Sequence, residues 1–557
     1  MSYQIKERRT CKVSGKEFPI IENELNFYKK MDLPIPDICP DERQRRRLAM
    51  RNEFNLYKRK SDLTGDEILS VHSPDKKYPV YHSSEWFSDK WDAMDYGRNF
   101  DFDRPFFDQF KELWDEVPKL GLLVLGDNEN SDYSHDAYRL KNCYLTFDGE
   151  QGYDCMYGET FVLVKNCVDF FQLINSENCY ECLRSEECYN LYFSAFCNNC
   201  SDSYFLRDCH GCRDCFGCCN LRQKQYYILN EPYSKEEYFE KLKSFQLNSH
   251  TALEKLKESA EQFFIKYPRK YMHGLMNDNV IGDFLYNCKD CYECYDCAQL
   301  RDCGYCTNCV LTGNDSYDID IWGDRMSFCY NSAGCGAGAE NIIGSLYCGF
   351  DSHDIYHSAF CWKGCQSLLG CSALMHKKYC ILNKQYSKEE YEKLFAKIKE
   401  HMKHTGEWGQ FFPPELSNFA YNETVANDFM PLKKEEAIQL GYTWKEKDPH
   451  DYKKQSYSIP DRIEDVKDDI SDAILVCDKC EKNYRIEPSE LKFYRKHKFP
   501  IPRLCFHCRH QERKKLKNNR KLSSRECMKC STEVLTTYKK SQPELVYCES
   551  CYLKEVR

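Results

Sequence analysis

Eight cysteines between residues 474 and 557 form four C-x-x-C pairs: Cys477/Cys480, Cys505/Cys508, Cys527/Cys530 and Cys548/Cys551. Two such pairs present four thiolates, the donor set that a tetrahedral zinc ion takes in structural sites, with no position left for a substrate water. The residues between the pairs are too few to fold on an apolar core, so ligation would be part of their folding. The spacing predicts about two Zn²⁺ per chain, structural and not catalytic.

The first finger recurs at the N-terminus at a constant offset of 466 residues without a gap. Cys11 matches Cys477, Cys39 matches Cys505, Glu24 matches Glu490, Phe27 and Tyr28 match Phe493 and Tyr494, and Pro34 and Pro36 match Pro500 and Pro502. Ser14 and Glu42 stand where Cys480 and Cys508 are, leaving two thiolates, a hydroxyl and a carboxylate, a poor set for zinc. This copy is expected to keep the fold with weak or no metal. The segments CDKC, ELKFY and PRLCFHCR, with CKVS, ELNFY and PDICPDER in the degraded copy, resemble the zinc-ribbon domain family with its C-x-x-C, E-x-x-F-Y, P-x-x-C-x-x-C-R pattern. That resemblance implies a zinc-stabilised fold and carries no activity. The layout of the whole chain, through GEWGQFFPPELSNFAYNETVA at 406–426, is similar to cysteine-rich proteins of candidate-phyla bacteria that carry no assigned role.

After the last ligand pair of each matched finger comes a basic segment of helical character. Arg43, Arg47 and Arg51 fall on one helix face, and their offset partners are Arg509, Arg513 and Lys517. Such a stripe suits phosphates, because each guanidinium offers a planar fork of donors at fixed spacing. Residues 1–60 carry a net charge of +6 and residues 474–557 one of +11, which leaves −26 on the residues between them. The basic ends are therefore candidate contacts for RNA or DNA, and a dock on the acidic middle is the alternative.

The other 27 cysteines lie between residues 143 and 380. From Cys143 they recur at 155, 167, 179, 188, 200 and 209, which reads as a 21-residue period in its later part. The stretch is rich in Tyr, Phe, Asn, Asp and Ser and lacks helical periodicity, so a parallel β-solenoid with interior cysteine ladders is expected. YFSAFCNNC at 192–200 answers YHSAFCWKGC at 356–365, and YYILNEPYSKEEY at 226–238 answers YCILNKQYSKEEY at 379–391, so the middle is a duplication. Each copy runs into a helix with Ser234 or Ser387 as N-cap and Glu three residues on, placed to cover an open solenoid end. Cys209, Cys212, Cys215 and Cys218, and Cys288, Cys291, Cys294 and Cys297, are spaced densely enough to admit packed thiols, a soft metal or an Fe–S cluster, in that order of preference. Asp315, Asp318, Asp320 and Asp324 could line one strand face for a hard cation or sugar, against the simpler reading of solvent-facing turn carboxylates.

The organisation expected is mixed and mainly β: two tandem cysteine-rich parallel β-solenoids with capping helices, flanked by small zinc-ribbon modules. The boundaries are 1–60, a degenerate ribbon; 61–132, a mixed helical aromatic and acidic segment; 133–232, the first solenoid; 233–270, its cap; 271–384, the second solenoid; and 385–405, its cap. An aromatic packing segment at 406–447 and an acidic linker at 448–473 lead to ribbons at 474–522 and 523–557. The chain has no nucleotide loop, H-E-x-x-H or G-x-S-x-G, so no catalytic constellation is expected. No apolar run approaches a membrane span and no signal region opens the chain, which points to the cytoplasm, where thiols stay reduced. A zinc-binding, non-enzymatic scaffold that contacts nucleic acid or a ribonucleoprotein through its basic ends is the expected function. The alternatives are a redox or metal-handling protein and a protein-assembly platform; the oligomeric state is left open.

Overall fold

The computed structural model describes residues 3–309, 311–446 and 452–556. Its backbone has one dominant habit. From Asp154 to Asn166 every third residue is left-handed, with φ of 49–58° at Asp154, Tyr157, Thr160, Leu163 and Asn166, and the rhythm runs through both cysteine-rich regions. Two extended residues and one left-handed corner make a side, and four sides close a coil of 12 residues. Successive coils therefore pair in parallel at a register of 12, as in Met156↔Val168 and Val168↔Tyr180. This corrects the 21-residue period: cysteine separations of 12 and 9 are four and three sides of the same coil. The left-handed corner is costly for most side chains and least so for Asn, Asp and Gly. One corner accordingly stacks Asn142, Asp154, Asn166, Asn178, Asn190 and Asp202, with Asn142 Nδ2 donating to Asp154 Oδ1 at 2.9 Å and Asn190 Nδ2 to Asp202 Oδ1 at 2.9 Å.

The residue after each corner points inward, so one coil has four interior side chains. Cys209, Cys212, Cys215 and Cys218 fill one coil, at most 1% exposed. So narrow a core takes small residues or offsets large ones: a Cβ on Gly158 would meet the Phe170 ring of the next coil at 2.1 Å. Size alone would allow alanine, and hydrogen bonding explains the thiols. Cys167 Sγ donates to the Lys165 carbonyl at 3.2 Å and accepts from the Cys179 N–H at 3.4 Å. Interior serines do the same, with Ser176 Oγ donating to Ile174 O at 2.8 Å and accepting from Cys188 N–H at 3.1 Å. The interior thiol or hydroxyl thus satisfies backbone groups that the corner leaves facing the core.

The second solenoid inserts one residue per coil over its middle, with registers of 13 at Leu300↔Gly313, Tyr317↔Tyr330 and Ile355↔Leu368, and returns to 12 at Gln366↔Lys378. This is why its cysteine spacing looks less regular. Each solenoid ends in an antiparallel turn and a helix, Lys235–Ser244 or Lys388–Thr405, whose N-cap Ser234 or Ser387 accepts from the N–H of Glu237 or Glu390 while that glutamate closes a capping box.

The modules at the two ends pack crosswise on the solenoids. The first N-terminal ribbon sets Phe27 and Tyr28 against Tyr317 and Tyr330 of the second solenoid. The first C-terminal ribbon sets Phe493, Tyr494 and Phe499 against Tyr180 of the first solenoid. Residues expected to be a linker are packed from Ile459 on: Ile463, Val466 and Ile470 are buried with the first C-terminal ribbon against the first solenoid, and Asp461 accepts from Ser249 Oγ and Thr251 N–H. The start of that expected linker, 448–451, lies outside the described residues.

Candidate metal centres

Each tetrad is built from a hairpin and a helix. In the first, the turn after Leu475–Val476 carries Cys477 and Cys480 and closes with Glu481 N–H on Cys477 O at 3.0 Å, Glu481 being left-handed at φ 60°. Cys505 is the N-cap of helix Phe506–Lys515 and Cys508 its third residue. The second tetrad repeats this with left-handed Ser531, N-cap Cys548 and Cys551 in helix Glu549–Glu555. In both, the four donor atoms lie within 4.8 Å of one another, and among the described residues these are the groups that gather three or more such donors. Cys480 and Cys505 Sγ are 3.6 Å apart, as are Cys530 and Cys548 Sγ. Tetrahedral zinc with Zn–S near 2.3 Å requires about 3.8 Å, so both tetrads fit the ion.

Burial pushes the Cys477 thiol up, but N–H groups of Cys505, Cys480 and Lys479 outweigh it and hold the thiol at about 7, while burial raises Cys505 to about 11. A divalent cation would favour all four thiolates together. The first tetrad is mostly buried, whereas Cys530 of the second is exposed and Cys548 half-buried.

The solenoid thiols are all buried in the coil interior. Burial pushes Cys329 and Cys365 up to about 12, whereas hydrogen bonds from Cys288 and Cys294 lower Cys291 to about 5. The runs Cys209–Cys218 and Cys288–Cys297 send their sulfurs inward from four sides of a coil and are not drawn into a donor cluster.

The N-terminal ribbon has the same frame with two of the four thiols, Cys11 and Cys39. Gly15 is left-handed, Cys39 is the N-cap of helix Pro40–Leu48, and Ser14 Oγ lies 3.7 Å from Cys39 Sγ. Glu42 turns to Arg45, with Nε 2.9 Å from Oε2. A fourth ribbon, missed in the sequence, follows at 57–86. It continues the offset of 466: Ser61, Thr64, His82 and Glu85 stand where Cys527, Cys530, Cys548 and Cys551 do. Its hairpin Tyr57–Lys60/Glu67–Ser70 turns at left-handed Gly65, and His82 is the N-cap of helix Ser83–Trp86. Here the Glu85 carboxylate ties helix to hairpin, accepting from Ser61 Oγ, from Thr64 Oγ1 at 2.6 Å and from His82 N–H at 3.0 Å. Carrying the offset past residue 60 would have found it; the loss of every cysteine hid it.

The cationic stripes are correctly paired with each other and wrongly placed. Arg43 reaches Asp318 at 2.7 Å and Arg47 reaches Asp320 at 2.5 Å on the second solenoid. Arg509 and Arg513 reach Asp169 on the first, at 2.9 and 2.8 Å. Arg51 pairs with Glu53 and donates to Tyr347 Oη at 3.1 Å, and Lys517 Nζ sits 4.2 Å from the Phe171 ring centre. The five arginines are at most 6% exposed. The expected phosphate-tracking surface is thus an internal one, the dock on the acidic middle, because a buried guanidinium needs a fixed carboxylate. Asp318 and Asp320 are accordingly ion-pair partners and not a cation or sugar site. Glu24 and Glu490, bonded to Tyr28 and Tyr494 at 2.5 and 2.7 Å, back the arginines, and burial raises both carboxyls, Glu24 to about 7.

No protein-family model matches the chain, and no curated protein does. Among solved structures, a "putative acetyltransferase" from Desulfovibrio desulfuricans G20 is similar over 44% of this chain and 65% of its own, at 10% identity and a TM-score of 0.10. This chain thus spans about two thirds of that structure's length, and a likeness so slight carries no argument about fold or function.

Proposed function

We propose that the chain is a zinc-stabilised, non-enzymatic scaffold in which ribbon modules lock two thiol-packed solenoids into one body. What supports this is the pair of four-cysteine sets whose sulfurs lie within 4.8 Å of one another, each set in a module docked on a solenoid. Contact with nucleic acid through Arg509, Arg513 and Lys517 is not part of this reading, since their partners in the folded chain are a carboxylate and aromatic rings. No helix among the described residues is long and apolar enough to cross a membrane. The test is metal and acid-labile sulfide per chain on anaerobically purified protein. About two zinc with no sulfide is expected; iron with sulfide would overturn the reading and move the function into the solenoids.

A further inference from the structure

We infer that metal occupancy of the two C-terminal tetrads opens and closes one of two clasps across the solenoids, while the N-terminal clasp is shut without metal. The inference rests on the zinc reading above. Each end of the chain carries two ribbons, and each pair spans both solenoids. At the C-terminus the first ribbon holds the first solenoid through Arg509 and Arg513 on Asp169. The second ribbon reaches the second solenoid through Thr537 Oγ1, which donates to Asp283 at 2.6 Å, while Val546–Tyr547 pairs in parallel with Arg269–Lys270 between the solenoids and Tyr552 Oη donates to Asp208 of the first. At the N-terminus the arrangement is mirrored. The first ribbon grips Asp318 and Asp320 of the second solenoid, Trp86 of the second ribbon packs on Trp362 of the same solenoid, and the first solenoid is reached through Phe54 on Phe147 and Arg51 on Asp136.

The two clasps differ in what holds each hairpin to its helix. At the N-terminus this is a carboxylate's hydrogen bonding, Glu85 on Ser61, Thr64 and His82; the Cys39 N–H on Cys11 Sγ at 3.3 Å has its counterpart in the Cys505 N–H on Cys477 Sγ. At the C-terminus the places of Ser61, Thr64, His82 and Glu85 hold four thiols, which a bound ion would cross-link, and the other side-chain ties from turn to helix are the half-exposed pairs Lys479–Glu512 and Lys529–Glu555, worth about 1 kcal/mol or less each. Arg509 and Arg513 lie on the helix that Cys505 begins, so release of the ion frees the segment that presents them to Asp169. The opened state exposes the tyrosine-lined row of the first solenoid, Tyr157 and Tyr180, while Phe27 and Tyr28 stay seated on the second.

The test is hydrogen exchange on the full chain, zinc-loaded, stripped with a membrane-permeant chelator, and reloaded with Zn²⁺ alone. Stripping should speed exchange about tenfold or more in 475–515, 523–555, 269–271 and the rows around Tyr157 and Tyr180, with 5–48 and 57–86 unchanged and protection restored by zinc. Full protection after complete metal loss, or both ends opening together, overturns the clasp while leaving the zinc sites standing; a chain that binds no metal overturns both. As a second arm, Asp169→Asn should loosen the first C-terminal ribbon with the metal count unchanged, and unchanged exchange there refutes the link between the arginines and closure.

Discussion

Replacing Ser14 and Glu42 with cysteine should build a third metal site. The frame is already in place: Ser14 Oγ is 3.7 Å from Cys39 Sγ, against 3.6 Å for the corresponding Cys480 and Cys505 sulfurs. Glu42 is the third residue of its helix, as Cys508 is. The cost is not small, because Glu42→Cys removes a largely buried pair with Arg45, which keeps Tyr421 Oη at 3.1 Å; breaking such a pair costs about 3 kcal/mol. The gain is set by mass action: at free zinc 1,000 times the dissociation constant it is about 4 kcal/mol. Metal per chain should therefore rise from about two to about three in S14C/E42C, with stability of the N-terminal module becoming chelator-sensitive. Ser14→Cys alone, with three thiolates, should bind more weakly. Cobalt substitution gives the readout, since thiolate charge-transfer absorbance should grow by half. A folded double variant whose metal count stays at that of the unmodified chain would refute the claim that this frame is a zinc ribbon lacking only its ligands.

Asp169→Asn leaves Arg513 buried without a carboxylate and Arg509 with Glu490 alone, and should cost about 3–5 kcal/mol, read as a lowered unfolding midpoint. In the solenoid, Cys167→Ala should cost about 1–3 kcal/mol by leaving the Cys179 N–H and Lys165 carbonyl unmatched, and Cys167→Ser should recover much of this; equal losses would show that packing alone decides the site. Thiol reagents on native, metal-stripped protein should label Cys530 and Cys548 first and leave the 27 solenoid thiols until unfolding. Burial lowers His135 and His510 from 6.5 to about 4. Between those values the unfolded chain binds the protons and the folded chain does not, so stability should fall as pH drops from 6.5 toward 4 and be flat in these groups above 7. His135→Gln should flatten part of that slope.

Much of the fold was written in local chemistry. The cysteine phrases repeated in the two halves disclosed the duplication, and Ser234 and Ser387 with their glutamates disclosed the caps. The coil length was harder to read, because cysteine, serine, leucine and alanine are interchangeable at the interior position, so cysteines alone sample the 12-residue register with gaps. The corner residues Asn142, Asp154, Asn166, Asn178, Asn190 and Asp202 carry that register continuously and are the better signal. For the metal sites, ligand type and spacing sufficed at Cys477–Cys508 and Cys527–Cys551. They failed at Ser61–Glu85, where a carboxylate joins hairpin to helix by hydrogen bonding and no cysteine remains.

The arginines show why local pattern misleads about function. A helix bearing Arg509 and Arg513 offers the same fork of donors to a phosphate as to a carboxylate, and nothing in the helix distinguishes them. The distinction lies in the chain's other half, where Asp169 and Asp318 each follow the inward-pointing side by two residues and sit at a left-handed corner facing outward to the ribbons. Both aspartates are fully buried, so each needs its arginines as much as they need it. The charge separation of basic ends and acidic middle is thus the signature of an internal lock. Of the two copies of that lock, one is tied by the Glu85 carboxylate and the other presents two four-cysteine sets that could hold metal ions.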